Sequence, residues 1–233
     1  DVSRYAKQAK VIHIDIDPAE IGKNKKPDVP IVGDLKQVIS ALNKEIAKDE
    51  KLYNHAEWIK QVQEWKKEYP VMYKAVPEDK LVPQEVLEEL DKIIKGNAII
   101  TTDVGQHQMW AAQYLSYENP DHMITSGGAG TMGFGMPAAV GAQIAMPDKK
   151  VISISGDGGF QMTFQELMML KQYNLPVKVI ILNNSFLGMV RQWQEIFNEK
   201  RYSFVDLDHN PDFIKIGEAY GIKSVKIANK KDL

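Results

Sequence analysis

The chain has 233 residues, 44% hydrophobic and 26% charged, the composition of a folded globular protein rather than of a chain disordered throughout. Its 29 Lys and Arg against 31 Asp and Glu give a formal net charge of −2, so no basic surplus exists for non-specific nucleic-acid binding. No apolar run approaches the roughly 18 residues that mark a transmembrane helix, and the absence of cysteine removes disulfides, thiolate metal sites and cysteine nucleophiles together. Neither nucleic acid nor a membrane is therefore expected as a partner. The first residue is Asp1 rather than Met and the last are the polar run Lys230–Leu233, from which the chain is expected to be an excerpt of a longer protein.

In chain order, residues 10–16 (KVIHIDI) read as a buried strand broken by Asp17-Pro18. Residues 34–48 place Leu35, Val38, Ile39, Leu42 and Ile46 at helical spacing, with Asp34 as the N-cap. The composition then shifts. Residues 49–80 are rich in Lys and Glu, with Trp58, Val62, Trp65 and Tyr69 at helix spacing, and predict an amphipathic linker helix followed by an irregular tether through Pro70 and Pro77. From residue 83 helices and strands alternate: a helix over 83–95 with Pro83 in its first turn and Gly96 after it, a strand over 98–102, a helix over about 106–114, a glycine-rich turn at 127–133 and a small-residue helix to about 146. A strand at 151–155, a helix at 161–173, a strand at 177–182 and a helix at about 187–198 follow. Asn210-Pro211 is expected to cap a further helix that stops at Gly221, with a last strand at 222–227. Uniformly apolar strands separated by helices predict an α/β fold, a doubly wound parallel sheet with helices on both faces, preceded by the end of a second α/β domain. The expected divisions are 1–48, a linker at 49–82, and 83–233.

Two motifs carry chemistry. Gly128, Gly130 and Gly133 match the dinucleotide-binding pattern GxGxxG at the start of a helix, and Asp157 follows at a strand end, as a ribose-binding acid would. The preceding strand, His122–Thr125, is short and partly polar, and the same glycines would equally serve tight helix–sheet packing. The second motif is stronger. Gly156-Asp157-Gly158 ends the most apolar strand, and Asn183-Asn184 ends the next, with the 24 residues Gly159–Leu182 between them. In a parallel sheet both strand ends lie at one edge, where ligands bind. A carboxylate and a carboxamide there supply hard oxygens for Mg²⁺, which takes its remaining ligands from phosphate and water. Glycine lets the backbone approach a diphosphate at a helix N-terminus. Either half alone would pass for a strand-end turn; the pair at this spacing points to a diphosphate–metal site.

These residues also carry a resemblance. GDGGFQMTFQELMMLKQYNLPVKVIILNN (156–184) resembles the thiamine diphosphate motif, GDG followed by a helix, a strand and NN. DVGQHQMWAAQ (103–113), ITSGGAGTMGFGMPAAVGAQIA (124–145), LPVKVIILNNSFLGMVRQWQE (175–195) and VIHIDIDPAEIGKNKKPDVPIVGDL (11–35) resemble the catalytic subunit of the acetolactate (acetohydroxyacid) synthase family, GMVRQWQE being the most discriminating piece.

The resemblance implies the following roles. Asp157, Asn184 and the main-chain carbonyl of Phe186 would hold Mg²⁺. Gly156, Gly158 and Gly159 would meet the diphosphate, and Val104, Gly105, Gln106 and His107 would hold it from the opposite side. Gly130 and Met132 would lie under the aminopyrimidine, Met132 bending the cofactor. Leu187, Gly188 and Met189 would line the cofactor site, Met189 and Val190 the substrate pocket, and Trp193 its entrance. Asp15, Ile16 and Asp34 fall where the family binds FAD, a structural cofactor in this flavoprotein. The implied reaction is a thiamine diphosphate-dependent transfer: decarboxylation of pyruvate and carboligation to pyruvate or 2-oxobutyrate, opening branched-chain amino acid biosynthesis. The implied assembly is a homodimer or larger homo-oligomer with shared active sites, with room for a small regulatory subunit, cytoplasmic in a bacterium and organellar in a plant or fungus. The family's catalytic glutamate belongs to a domain outside these residues. No catalytic residue is expected within them, Glu166 reads as packing or solvated, and the excerpt alone is expected to be inactive. The alternatives are another thiamine diphosphate-dependent decarboxylase, oxidase or carboligase, a non-catalytic cofactor-binding module, and a nicotinamide dehydrogenase.

Overall fold

The computed structural model describes residues 2–48, 55–74 and 76–233, which fall into two compact units divided after Pro70. Residues 49–54 of the expected linker lie outside the described residues.

The first unit contains β1 (Ile12–Asp15) and β2 (Val29–Val32), paired in parallel with Asp15 opposite Val32. Helix α1 (Leu35–Ile46) follows, and its N-cap Asp34 accepts a hydrogen bond from the Gln37 N–H at 3.0 Å. Helix α2 (Ala56–Glu68) carries the anticipated aromatic face, with Trp58 edge-on to Trp65 at 5.5 Å.

The second unit opens with α3 (Pro83–Ile94), Pro83 taking the first helical position, where its missing N–H is no loss. The chain then runs β3 (Ile99–Thr102), α4 (Gln106–Tyr114), β4 (Met123–Thr125), α5 (Gly135–Ala145), β5 (Val151–Gly156), α6 (Asp157–Thr163), a 3₁₀ turn (Phe164–Glu166), α7 (Leu167–Gln172), β6 (Lys178–Leu182), α8 (Gly188–Phe197) and α9 (Phe213–Ala219). The sheet is parallel with strand order β4-β3-β5-β6. Because side chains alternate along a strand, the central strands feed two cores. Ile99 and Val151 pack with Met136, Ala139 and Val140 of α5 and with Phe160, Leu167 and Leu170 of α6 and α7. Ile100, Ile152 and Ile154 pack on the other face with Leu87 and Ile94 of α3 and Ala111 of α4. This is the doubly wound architecture expected from the sequence. From β3 the chain moves to β4 on one side and later returns to β5 on the other. The strand order therefore switches between β3 and β5, the place in such sheets where the loops part and a ligand crevice opens.

Four local expectations need correction. No strand forms at 222–227: Val225 is 71% and Ile227 42% exposed, so the side chains that suggested a strand bury little, and only Ile222 packs on the core. The helix expected from 161 begins at Asp157 and breaks at the 3₁₀ turn, because the glycines of 156–159 allow close packing rather than a loop. The short strand expected at His122–Thr125 starts one residue later, as β4, an edge strand of three residues, with His122 in a 3₁₀ turn. Finally, α9 is capped by Asp212, whose Oδ1 accepts from Ile214 N and Lys215 N, and not by Asn210.

Helix α5 runs closest to the sheet at Gly135, where a Cβ would stand 2.6 Å from Asp103 N and 3.0 Å from Thr102 C, both backbone atoms. Thr101 Oγ1 also donates to the Gly135 carbonyl at 2.8 Å. Six residues on, Gly141 has no atom within 4 Å of its own Cβ position. Gly135→Ala should therefore lose about 1–3 kcal/mol by overpacking, whereas Gly141→Ala should gain about 0.5–1 kcal/mol from helix propensity. Urea unfolding of both variants checks the pair, and equal effects would contradict the packing of α5.

Candidate functional site

The carboxyl ends of β3, β5 and β6 converge on one cleft, lined by Val104, Gly105, Gln106, His107, Met132, Gly156, Asp157, Gly158, Gly159, Asn184 and the run Phe186–Val190, with Trp110 and Leu182. Of the residues named from the sequence for the cofactor, all but Gly130 line it; Gly130 is exposed on the turn before α5, with φ +65°. Trp193 also lies outside, 61% exposed, with its ring 5.1 Å from Phe197.

Asp157 is the buried centre of the cleft at 1% exposure. Its Oδ1 accepts from the Gly158 N–H at 3.1 Å, and its Oδ2 accepts from Ser185 N at 2.8 Å and Asn210 Nδ2 at 2.7 Å. The loop after β6 is shaped for this. Ser185 adopts a left-handed backbone (φ +60°), which costs a non-glycine residue about 1–2 kcal/mol, and its N–H reaches Asp157. Asn184 Oδ1 accepts from Phe186 N at 3.1 Å. Phe186 faces Asp206 in an antiparallel bridge whose hydrogen bonds run through the flanking residues, Leu187 N to Val205 O and Leu207 N to Ser185 O, both 2.8 Å. The bridge thus leaves the Phe186 carbonyl uncommitted. Arg191 is gripped between the rings of Phe186 and Tyr202, at 4.4 and 4.3 Å from their centroids.

The opposite wall follows β3. Asp103 is fully buried, and its carboxylate accepts from Val104 N at 2.8 Å, from Gly133 N at 2.9 and 3.0 Å, and from Gly135 N at 3.2 Å. Gln106 Nε2 donates to Gln192 Oε1 at 2.9 Å, linking α4 to α8. His107 is buried, and its Nε2 has no hydrogen-bond partner among the described residues. Burial lowers its pKa from 6.5 to about 4, outweighing the Asp103 carboxylate and a hydrogen bond to the Asp103 backbone, which favour the charged form. The imidazole is neutral at pH 7.

The cleft fits a diphosphate and a divalent cation on these observations. The orphaned His107 Nε2 would donate to a phosphate oxygen once it carries a proton, which the negative charge of a phosphate favours. A Cβ at Gly156 would stand 2.9 Å from His107 Nδ1, and one at Gly158 2.7 Å from Leu187 Cδ2, so side chains are excluded where the backbone must come close. Among the described residues no group of three or more His, Cys, Asp and Glu could hold a metal, so a cation at Asp157 would draw on Asn184, a main-chain carbonyl, phosphate and water, as Mg²⁺ does.

In the first unit, Asp15 Oδ1 accepts from Asp17 N at 2.9 Å, Ile16 is exposed, and Asp34 caps α1. Each acid holds its own local turn at the end of one of two neighbouring strands. Sequence reasoning missed Asp103, Trp110, Leu182 and Asn210. Trp110 stands three residues after His107, a helical spacing that could have revealed it. Asp103 and Asn210 act through long-range contacts without a local signal.

Residues 103–233 match the family model described as "Thiamine pyrophosphate enzyme, C-terminal TPP binding domain", and residues 1–42 match "Thiamine pyrophosphate enzyme, central domain". With the larger part of its length matched, the chain belongs to the thiamine pyrophosphate enzymes. It is 51% identical to the acetolactate synthase large subunit of Lactococcus lactis over 231 residues, 99% of this chain and 40% of that protein. It is 50% identical to the probable acetolactate synthase large subunit of Methanococcus aeolicus, over all of this chain and 41% of that one. It is 43% identical to the chloroplastic acetolactate synthase 2 of Zea mays, over all of this chain and 38% of that one. The chain thus spans about two-fifths of the length of these relatives.

The His107 environment has a consequence in acid. The unfolded chain protonates this residue near pH 6.5, while the folded chain resists until about pH 4. The group's stabilising contribution is complete above pH 6.5 and is lost as pH falls from 6.5 to 4, by on the order of 3 kcal/mol. His107→Gln should flatten that part of the stability profile. Urea unfolding of both proteins at pH 7 and pH 4.5, without cofactor, measures it, and parallel profiles would contradict a buried neutral imidazole.

Proposed function

We propose that these residues form the C-terminal part of an acetolactate synthase catalytic large subunit, a transferase that decarboxylates pyruvate and joins the two-carbon unit to a second pyruvate or to 2-oxobutyrate. The observation that carries this reading is the cleft at the strand-order switch, where Asp157, Asn184 and a glycine-lined backbone face the unpartnered nitrogen of His107. The names of the relatives support the choice of reaction within the family. Residues 83–233 are read as the diphosphate-binding domain, 1–48 as the end of a central domain with Asp15, Ile16 and Asp34 toward FAD, and 49–82 as the linker.

Within this reading Asp157, Asn184 and the Phe186 carbonyl bind Mg²⁺. His107, Val104, Gly105 and Gln106 hold the diphosphate on one side, and Gly156, Gly158 and Gly159 on the other. Thiamine diphosphate supplies stabilisation of the carbanion generated by decarboxylation. Met132, whose Cε lies 3.7 Å from the Cβ position of Gly158, would form the floor under the cofactor. Leu187, Gly188 and Met189 line the cofactor site, and Met189 and Val190 the side toward the 2-oxo acids, with Trp193 beyond them. The carboxylate that would act as acid–base partner to the bound cofactor belongs to a part of the enzyme outside these residues, within a homo-oligomer that shares its active sites and that a small regulatory subunit can join. The compartment is the cytoplasm in a bacterium and an organelle in a plant or fungus; among the described residues no helix is long and apolar enough to cross a membrane. A nicotinamide site is disfavoured, because the Asp157 carboxylate is buried and engaged with Ser185 and Asn210 instead of open to a ribose.

Two experiments test the reading in the full-length protein. Asp157→Ala should abolish Mg²⁺-dependent thiamine diphosphate binding, because the diphosphate then meets the site without its bridging cation, and Asn184→Ala should weaken it less. Titration of thiamine diphosphate with Mg²⁺ present decides, and equal affinity for Asp157→Ala and wild type would sink the assignment. Trp193 is exposed beyond Met189 and Val190 and would meet the acceptor only where parts of the enzyme outside these residues extend the cleft; Trp193→Leu should then lower the preference for 2-oxobutyrate over pyruvate by the equivalent of about 1–3 kcal/mol, because an aromatic wall favours the acceptor with one more methylene. Its exposure means that stability should change by about 0.5 kcal/mol or less. Competition between the two acids, alongside a thermal melt, checks both, and an unchanged product ratio would remove Trp193 from the acceptor pocket.

A further inference from the structure

Asn210 lies 53 residues beyond Asp157, in the segment between α8 and α9, yet its side chain returns to the centre of the cleft. The segment is anchored. Val205 is fully buried, the bonds Leu187 N to Val205 O and Leu207 N to Ser185 O stitch it to the loop after β6, and Asn210 N donates to Leu207 O at 3.2 Å. Asn210 Nδ2 donates to Asp157 Oδ2 at 2.7 Å and to Asn183 Oδ1 at 3.2 Å.

The bonds form a closed ring that fixes which end of each amide faces where. Gln161 Nε2 donates to the main-chain carbonyl of Asp157 at 3.2 Å, an acceptor that only the amino end of Gln161 can serve. The same Nε2 donates to Asn210 Oδ1 at 2.8 Å. With the oxygen of Asn210 committed to Gln161, its nitrogen is committed to Asp157. The two carboxylate oxygens then differ. Among the described residues Oδ2 takes two donors, Ser185 N and Asn210 Nδ2, while Oδ1 takes only the adjacent Gly158 N–H at 3.1 Å. Oδ1 keeps the greater capacity for a further electrophile.

We propose that Asn210 is a positioning residue of the metal site: it ties down Oδ2 so that Asp157 presents Oδ1 to the cation, and Gln161 is the arm that orients Asn210. The proposal rests on the reading of Asp157 as a Mg²⁺ ligand. Groups that orient a metal ligand typically change metal affinity about 10–100-fold when removed, and a neutral amide belongs at the lower end of that range.

The test is made in the holoenzyme, with Mg²⁺ titrated at fixed thiamine diphosphate and binding followed by tryptophan fluorescence, Trp110 lining the cleft. Asn210→Ala should raise the Mg²⁺ midpoint about tenfold. Gln161→Met, which leaves every donor to the Asp157 carboxylate in place, should raise it in the same direction by less. Both cofactor-free variants should melt within about 2 °C of wild type. An unchanged midpoint in both variants, with or without a lower melting temperature, overturns the proposal. Should Asn210→Ala not fold, Gln161→Met decides by the same criterion. Asp157→Ala is the control: if it abolishes Mg²⁺-dependent binding while the other two leave the midpoint alone, only the positioning role falls, and if it too leaves binding intact, the reading of the site falls first.

Discussion

The buried carboxylate of Asp103 is the constraint on which the cleft depends. It stands at the end of β3 without exposure to water and is compensated by backbone N–H groups alone among the described residues: its own neighbour Val104, and Gly133 and Gly135 at the approach to α5. A buried charge is tolerated only when its lone pairs are filled, so the glycine-rich turn must fold back to this point. That requirement brings α5 so near the sheet that position 135 admits no Cβ, and it leaves equally little space at Gly159, whose Cβ would collide with the same carboxylate. The glycines of the two motifs are therefore partners in one arrangement, one set supplying donors and the other giving room.

Two acids at neighbouring strand ends have divided roles. Asp103 spends both oxygens on the protein backbone and holds the walls in place. Asp157 has one oxygen held from two sides and the other less occupied. Their strand-end settings are alike, each acid following a strand and preceding a glycine within two residues, and only the GDG…NN pairing singles out Asp157. What separates them is the set of donors delivered from elsewhere: α5 for one, the loop after β6 and the segment before α9 for the other.

That difference explains what was legible from the sequence. The doubly wound sheet was readable because β3, β5 and β6 are apolar on both faces and separated by helical periodicity. The GDG and NN ends of β5 and β6 were readable because adjacent parallel strands put their carboxyl ends together. Asn210 was not, since Asn-Pro before a helix reads as a cap, and only the tertiary fold reveals that Asp212 fills that role. Ile222, Val225 and Ile227, interspersed with polar residues, read as a strand because a pattern of apolar and polar residues does not report whether a partner strand is there to receive it. Trp193 shares a helix with Met189 and Val190, but helical spacing fixes a direction and not the depth of the cleft, and its ring lies outside.

The switch in strand order ties the cleft to the most non-local pairing in this sheet. β3 pairs with β5 across an intervening strand and two helices, whereas β3 with β4 and β5 with β6 are joined by shorter excursions. One wall of the cleft hangs on β3 and the other on β5 and β6, so the β4 edge could fray while the β3 wall persisted, but the two walls face each other only when the centre is closed. Contacts of such long range carry the largest loop-closure entropy in this sheet. A ligand that requires both walls binds only the chain with an intact centre, and its binding free energy adds to the global opening of the sheet rather than to a local fluctuation. Occupancy of this cleft is in that sense a clamp on the topology of the domain, and hydrogen exchange at the amides of β3 and β5 is where its grip would register.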